Sequence, residues 1–245
     1  MILGAEAGSH RVAMAEPARI DAERVAPAAG RLALVNVVAA VAFTIGGSLF
    51  SLGAYFAQQD VGSLTTVNVT YLVGGFFFSL GGYMSIVLAV NTTGGRSMRW
   101  WGFLPRQRGW LSAAVLFVGT LLFAVSLVAA FAEGLTPRQS NGWIWFPDMA
   151  GCVCFLVSGH LAQLEVGDGH VRLLPRDLDW WVVSVNQVGS VLFFLAGLAA
   201  FTRPATSAVV DAGLVNWGTF AGAACFALGG LLQVFDKPAP VGDAA

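Results

Sequence analysis

The stretch Gly119-Thr120-Leu121-Leu122-Phe123-Ala124-Val125-Ser126 carries a small residue, a phenylalanine and a second small residue at positions i, i+4 and i+7. At about 100° per residue these positions lie on one stripe of an α-helix. Five other hydrophobic segments repeat the pattern, which indicates a shared packing face on six helices. The six copies are Gly46/Phe50/Gly53, Gly74/Phe78/Gly81, Gly119/Phe123/Ser126, Gly151/Phe155/Ser158, Gly189/Phe193/Ala196 and Gly222/Phe226/Gly229.

The composition is that of a membrane protein. Hydrophobic residues make up 56% of the 245 residues and charged residues only 11%. Six apolar runs each reach the roughly 20 residues that cross a bilayer core. The sequence therefore predicts an all-α integral membrane bundle of six transmembrane helices, and the net charge of −1 gives no reason to expect nucleic acid as a partner. The predicted spans are Leu32–Ala57, Val69–Val90, Trp110–Ala132, Trp143–Leu164, Trp180–Phe201 and Leu214–Phe235.

A second repeated element precedes the third and fifth spans. Leu104-Pro105-Arg106-x-x-x-Trp110 and Leu174-Pro175-Arg176-x-x-x-Trp180 stand in the same register to Gly119 and Gly189. Agreement in register as well as residue type predicts an internal duplication, and hence three repeated hairpins. The predicted boundaries are a disordered or loosely helical N-terminal tail over 1–31, hairpins over 32–95, 96–166 and 167–237, and a C-terminal tail over 238–245.

The basic residues predict the orientation. Of 13 Lys and Arg residues, only Arg138 and Arg203 fall on the side away from the predicted tails. The positive-inside rule therefore predicts that both termini are cytoplasmic. Arg106 and Arg176 are predicted to anchor in the headgroup layer, beside the interfacial residues Trp110 and Trp180.

The clearest pieces of the hairpin pattern are Gly189-Ser190-Val191-Leu192-Phe193 and Gly222-Ala223-Ala224-Cys225-Phe226. With the other hairpins, over about residues 32–235, they resemble the YrhK-like domain, a small bacterial two-helix membrane module. The resemblance implies a bacterial plasma membrane protein. It implies no activity and no catalytic residue.

The repeated face favours a non-enzymatic role. Helices in lipid associate by close packing around small residues, so glycine notches are suited to contact with a second copy, another membrane protein or lipid. The leading hypothesis is therefore a multi-pass membrane protein that acts through helix packing. The packing residues are Gly46, Phe50, Gly74, Phe78, Gly119, Phe123, Gly151, Phe155, Gly189, Phe193, Gly222 and Phe226.

Polar residues in the fourth and fifth spans support two alternatives. His160 and Gln163 lie at a similar predicted depth to Asn186 and Gln187, and ionisable residues within a membrane suggest proton or ligand handling. The first alternative is a small secondary transporter or channel. The second is a membrane-embedded enzyme that uses His160 or the acidic loop containing Glu165, Asp168, His170 and Asp177.

Two further observations limit the chemistry. Asp148 follows Pro147 at the predicted start of the fourth span, where a carboxylate suits the positive end of the helix dipole, so capping is the favoured role. The sequence contains no phosphate-binding glycine loop, nucleophile elbow or paired-cysteine motif. We therefore predict no catalytic residue, no metal and no cofactor.

Overall fold

The computed structural model describes the backbone of residues 9–92 and 97–236 and the side chains of residues 30–92 and 97–236. Within these ranges the chain is all-α, apart from one isolated antiparallel bridge between Thr202 and Val209. The elements in order are α1 (Ser9–Gln58), α2 (Leu64–Asn91), α3 (Arg108–Ala129), α4 (Pro137–Ser140), a π-helical turn (Asn141–Trp145), α5 (Phe146–Val166), α6 (Leu178–Ala199) and α7 (Ala212–Gln233).

Six helical stretches are long and apolar enough to cross a membrane, which confirms the predicted all-α, multi-pass class. They are Gly30–Gln58, Leu64–Asn91, Arg108–Ala129, Pro137–Val166, Leu178–Ala199 and Ala212–Gln233. The fourth begins six residues before the predicted Trp143, because α4, the π turn and α5 form one continuous helical run.

The predicted tails lie partly outside the described residues. Residues 1–8 and 237–245 are outside them, as are residues 93–96, where the second hairpin is predicted to begin. Over residues 9–31 the sequence predicts a disordered or loosely helical tail, and the structure has helical backbone from Ser9 onward. Alanine, the residue with the highest helix propensity, is frequent in this segment.

Side-chain caps fix the beginnings of several helices. The Ser63 hydroxyl accepts from Thr66 N (3.1 Å), and the Asp211 carboxylate accepts from Leu214 N (2.9 Å). Thr136 and Gln139 form a capping box before the fourth helical run. Each cap satisfies a backbone N–H that has no partner within the helix.

The six long helices form a closed ring. Each packs against the next in the order α1, α2, α3, α5, α6, α7, and α7 packs against α1. Glycines allow the closing contact: a Cβ at Gly47 would lie 2.6 Å from Ala227 N, and one at Gly230 would lie 2.8 Å from the Ala40 carbonyl oxygen. The buried Asn36 side chain also donates to the Gln233 carbonyl oxygen (3.0 Å) across this contact.

The centre of the ring is a cluster of phenylalanines. One residue comes from each long helix, and all six are buried in one core: Phe50, Phe78, Phe123, Phe155, Phe193 and Phe226. Contacting ring centroids lie 4.9 to 6.4 Å apart, mostly in edge or tilted arrangements. We call this the phenylalanine core.

The glycines of the repeated pattern pack against these rings reciprocally within each helix pair. A Cβ at Gly119 would lie 2.8 Å from the Phe155 ring, and one at Gly151 would lie 2.9 Å from the Phe123 ring. The same exchange joins Gly46 to Phe78 (2.9 Å), Gly74 to Phe50 (2.7 Å), Gly189 to Phe226 (3.1 Å) and Gly222 to Phe193 (2.8 Å). Five of the six distances are shorter than real methyl groups adopt, and the sixth, at Gly189, is tight enough that the neighbour would have to move, so each notch is filled.

The segments leading into α3 and α6 adopt the same hydrogen bonds. Trp110 Nε1 donates to the Gly102 carbonyl oxygen (2.9 Å), and Trp180 Nε1 donates to that of Arg172 (2.8 Å). In both segments the leucine before the proline accepts a backbone hydrogen bond that closes a turn, from Gln107 N (3.0 Å) and from Asp177 N (2.9 Å). The four anchor residues therefore belong to two similar turns at one end of the bundle.

We use two names for the ends of the ring. The arginine-rich end carries the described parts of two connections, residues 97–107 and 167–177, and the exposed residues Arg99, Arg106, Arg108, Arg172 and Arg176. The far end carries the connections 59–63, 130–136 and 200–211.

The reciprocal packing predicts an unusual response to alanine. Gly222→Ala should destabilise the bundle by about 1–3 kcal/mol, because its methyl group must displace the Phe193 ring or the Gly189 carbonyl oxygen. Gly30→Ala is the matched control: no atom lies within 4 Å of a Cβ there, so the gain in helix propensity should leave stability equal or higher. Thermal unfolding in lipid nanodiscs measures both, and a Gly222→Ala variant as stable as Gly30→Ala would contradict the packing account.

Candidate functional site

The four polar residues predicted to form an inner site are not brought together. His160 is exposed on α5 and makes no hydrogen bond with any described residue, and Gln163 is half-buried one turn further on. Asn186 and Gln187 point to different neighbours. The Asn186 amide lies over Gly229 of α7, whereas the Gln187 amide lies over Gly159 of α5.

The two amides fill glycine notches, as the phenylalanines do nearer the centre. Gln187 Nε2 donates weakly to the Leu156 carbonyl oxygen (3.5 Å). The buried oxygens Asn186 Oδ1, Gln187 Oε1 and Ser184 Oγ have no hydrogen-bond partner within the described part of the chain. Three oxygen atoms without a described partner therefore lie on different sides of α6, between the phenylalanine core and the arginine-rich end.

The acidic connection between α5 and α6 does not form a metal site. Glu165, Asp168, His170 and Asp177 are all exposed. Among the described residues, no group of three or more His, Cys, Asp or Glu side chains is placed to hold a metal ion.

The structure instead places a cavity of about 290 Å³ at the far end. Its floor is the phenylalanine core, through Phe50, Phe123 and Phe193, and small or aliphatic side chains form much of its wall. This volume is close to the lower limit for small-molecule sites, which are mostly apolar with a few convergent polar groups. The polar side chains that line it include Asn68, Tyr71, Ser126, Asp148 and Thr219.

The π turn forms one side of the cavity. Phe146 N donates to the Asn141 carbonyl oxygen, five residues back, so this turn is wider than an α-helical turn. Ile144 and Trp145 from the turn line the cavity. Trp145 is fixed there because its Nε1 donates to the Gly197 carbonyl oxygen (2.8 Å) and its ring packs edge-on against Phe201 (5.1 Å between centroids).

Asp148 lies in the first turn of α5 after Pro147, as predicted, but its side chain makes no capping hydrogen bond. The helical run begins at Pro137, so the backbone N–H groups before Asp148 are already used by α4 and the π turn. Asp148 lies eleven residues into the run, about 16 Å from its start. Its carboxylate makes no hydrogen bond or ion pair with any described residue and lines the cavity.

Several polar groups around Asp148 are already engaged. Asn68 Nδ2 donates to the Ala130 carbonyl oxygen (2.9 Å), and Cys152 Sγ donates to that of Phe193 (3.4 Å). The Tyr71 hydroxyl makes no hydrogen bond with a described residue, although its ring packs edge-on against Phe50 (5.2 Å between centroids). The side chains of Asp148, Tyr71, Ser126 and Thr219 line the cavity and make no hydrogen bond with a described residue, so they are free to bind a molecule there.

A second, outer pocket of about 260 Å³ adjoins the cavity. Ser140, Ile144 and Thr202 line both. Asn141 joins the two sides of this boundary, because its Nδ2 donates to the Thr202 carbonyl oxygen (2.8 Å) and its Oδ1 accepts from Thr202 N (2.9 Å). We interpret the outer pocket as the mouth of the cavity, with the Asn141–Thr202 pair beside it.

Removing this pair should loosen the mouth. In Asn141→Ala, the Thr202 amide should exchange with solvent deuterium several-fold faster, since both hydrogen bonds are lost. Asn91→Ala is a matched control at the arginine-rich end, where Asn91 makes the same two bonds to the Arg99 backbone (2.7 and 2.8 Å). Exchange measured by mass spectrometry should rise near residue 202 in the first variant only; an unchanged rate there would show that the pair does not hold the mouth.

Comparisons of the chain with protein-family models, with curated proteins and with solved structures found no match. The resemblance to the YrhK-like domain accordingly stays a prediction.

Proposed function

We propose that this multi-pass membrane protein binds a small, largely apolar molecule in the far-end cavity. The observation that carries the proposal is the combination of mostly apolar walls with unengaged polar side chains, of which Asp148 is the carboxylate and Tyr71, Ser126 and Thr219 are hydroxyls. A carboxylate without a partner in an apolar site is costly, so it is seldom kept without a use.

The construction of the site supports the same function. A π turn is a rare departure from α-helix that often occurs at functional sites, and here it supplies Ile144 and Trp145 to the wall. The outer pocket offers a route to the cavity from the far end. The phenylalanine core closes the side of the cavity that faces the arginine-rich end.

The repeated packing faces give association with another protein little support. Their glycines are filled by phenylalanines of the same chain, so these faces hold the ring together. Association with a second copy, with another membrane protein or with specific lipids stays a prediction. Such contacts would have to use the outer, lipid-facing sides of the helices.

Transport is the second candidate, and one observation favours it. The cavity lies on one side of the phenylalanine core, and the unpaired oxygens of Ser184, Asn186 and Gln187 lie on the other. These oxygens are buried in helix contacts and would become available as hydrogen-bond acceptors if the helices separated. Transport would require the six rings to separate, since they close the centre of the ring.

We further propose that the arginine-rich end faces the cytoplasm of a bacterial cell, so that the cavity opens outward. The support is the exposed arginines at that end, which form no ion pair within the described residues. The matching turns at Trp110 and Trp180 also support hairpins derived from a common YrhK-like module.

Ligand binding is tested with cyclohexylmethanol, observed by saturation-transfer NMR in nanodiscs against empty discs. The wild type should bind it, and Ala200→Phe, which adds a ring to the cavity wall, should abolish the signal. Ala224→Phe makes the same change at an exposed position on α7 and should bind like the wild type. Binding that persists in Ala200→Phe, or is absent from the wild type, would rule out this cavity as the site.

Orientation is tested by thiol labelling in intact cells. Glu133→Cys lies exposed at the far end and Arg106→Cys exposed at the other, while the native cysteines lie within spans. A membrane-impermeant maleimide should label Glu133→Cys directly and Arg106→Cys only after permeabilisation. The reverse pattern would invert the proposed topology.

A further inference from the structure

We infer that the molecule bound in the cavity is a small organic cation, an ammonium group on an apolar body, with Asp148 as its counter-ion. This inference rests on the proposed binding function and adds the chemical class of the ligand. It follows from the charge, the aromatic lining and the limited set of oxygen ligands in the cavity.

The charge that the described lining residues bring to the cavity is negative. Asp148 is its only ionisable carboxylate, and no Lys, Arg or His is among the described residues that line it. Asp148 also has no ion-pair partner elsewhere in the described chain. A ligand that brings a positive charge would therefore convert an unpaired carboxylate into a hydrogen-bonded ion pair, whereas an anion would be repelled.

The lining suits an organic cation. Tyr71, Trp145 and Phe50 contribute aromatic rings to the wall, and such rings attract ammonium groups through their negative faces. An ammonium has three N–H donors. Beside Asp148, the hydroxyl oxygens of Tyr71, Ser126 and Thr219 line the same cavity and supply further acceptors.

An inorganic cation fits less well. Hard metal ions take six or more oxygen ligands in regular geometry, including several carboxylates or carbonyl groups. The cavity offers one carboxylate, and its wall is predominantly apolar. The described residues contain no cluster of three metal-ligating side chains. The apolar surface would remain unused by a bare ion but would pack against a hydrocarbon body.

The test compares two probes of nearly equal shape, cyclohexylmethylammonium and cyclohexylmethanol, which differ in charge. We measure dissociation constants at neutral pH in nanodiscs, with empty discs subtracted. The wild type should bind the ammonium about tenfold or more tightly than the alcohol, the preference expected for one charge-assisted hydrogen-bonded pair.

Two variants test whether Asp148 causes the preference for the ammonium probe. Asp148→Asn keeps the size of the side chain and removes its charge, so it should bind both probes equally, while its unchanged affinity for the alcohol shows that the cavity is intact. Glu133→Gln removes one carboxylate from the same end of the protein, outside the cavity, and should keep the wild-type preference.

The outcomes separate this inference from the proposed function. If the wild type binds both probes with equal affinity, the inferred ligand class is refuted, whereas the proposed binding of a small molecule in the cavity is supported. If neither probe binds the wild type, both the ligand class and the proposed binding function are refuted. A preference that survives in Asp148→Asn would remove Asp148 as the counter-ion. Stabilisation of the wild type by sodium chloride alone, lost in Asp148→Asn and without binding of the ammonium, would identify an inorganic cation instead. If Asp148→Asn does not fold, the wild-type comparison still decides the class.

Discussion

Close packing between glycine and phenylalanine is the interaction on which this bundle depends. In hydrocarbon no hydrophobic gain draws one helix to another, so association rests on van der Waals contact and on how closely two backbones approach. In each of three helix pairs, each helix presents a glycine to the phenylalanine of the other helix. The exchange brings the backbones together and directs all six rings inward, where they meet as one core.

The cavity is a consequence of where that packing ends. The phenylalanine core fills the ring at one depth, and towards the far end the inward positions carry smaller side chains such as Ser126, Ala196 and Ala200. These side chains cannot fill the space between six helices whose separation is set by aromatic rings. The π turn lines the same region through Ile144 and Trp145, and Asp148 is the one carboxylate among the described residues that line the space. Packing and ligand binding are therefore parts of one arrangement.

The two polar sites show how far sequence reasoning reaches. Asn186 and Gln187 are adjacent in sequence, yet on a helix neighbouring residues differ by about 100° and face different partners. His160 is exposed on α5, so a similar position along its span does not place it beside Asn186 and Gln187. Asp148 was assigned to a cap because apolar periodicity set the helix start at Trp143. The signal that identifies Asp148 as an interior residue is its position within the longer helical run that begins at Pro137.

The sequence by itself determined the class of this protein, its six spans and the face of each helix that bears glycine and phenylalanine. Those properties depend on hydrophobic length and on a period of 3.6 residues, both of which are local. Only the tertiary structure decided which helices exchange their phenylalanines, that the repeated faces are filled within one chain, and that a cavity opens beside Asp148. The helical period fixes the direction in which each side chain leaves its own helix. It does not fix the distance or the rotation of that helix relative to the other five. A cavity is defined by those distances, because it is the volume that the packed side chains leave unfilled.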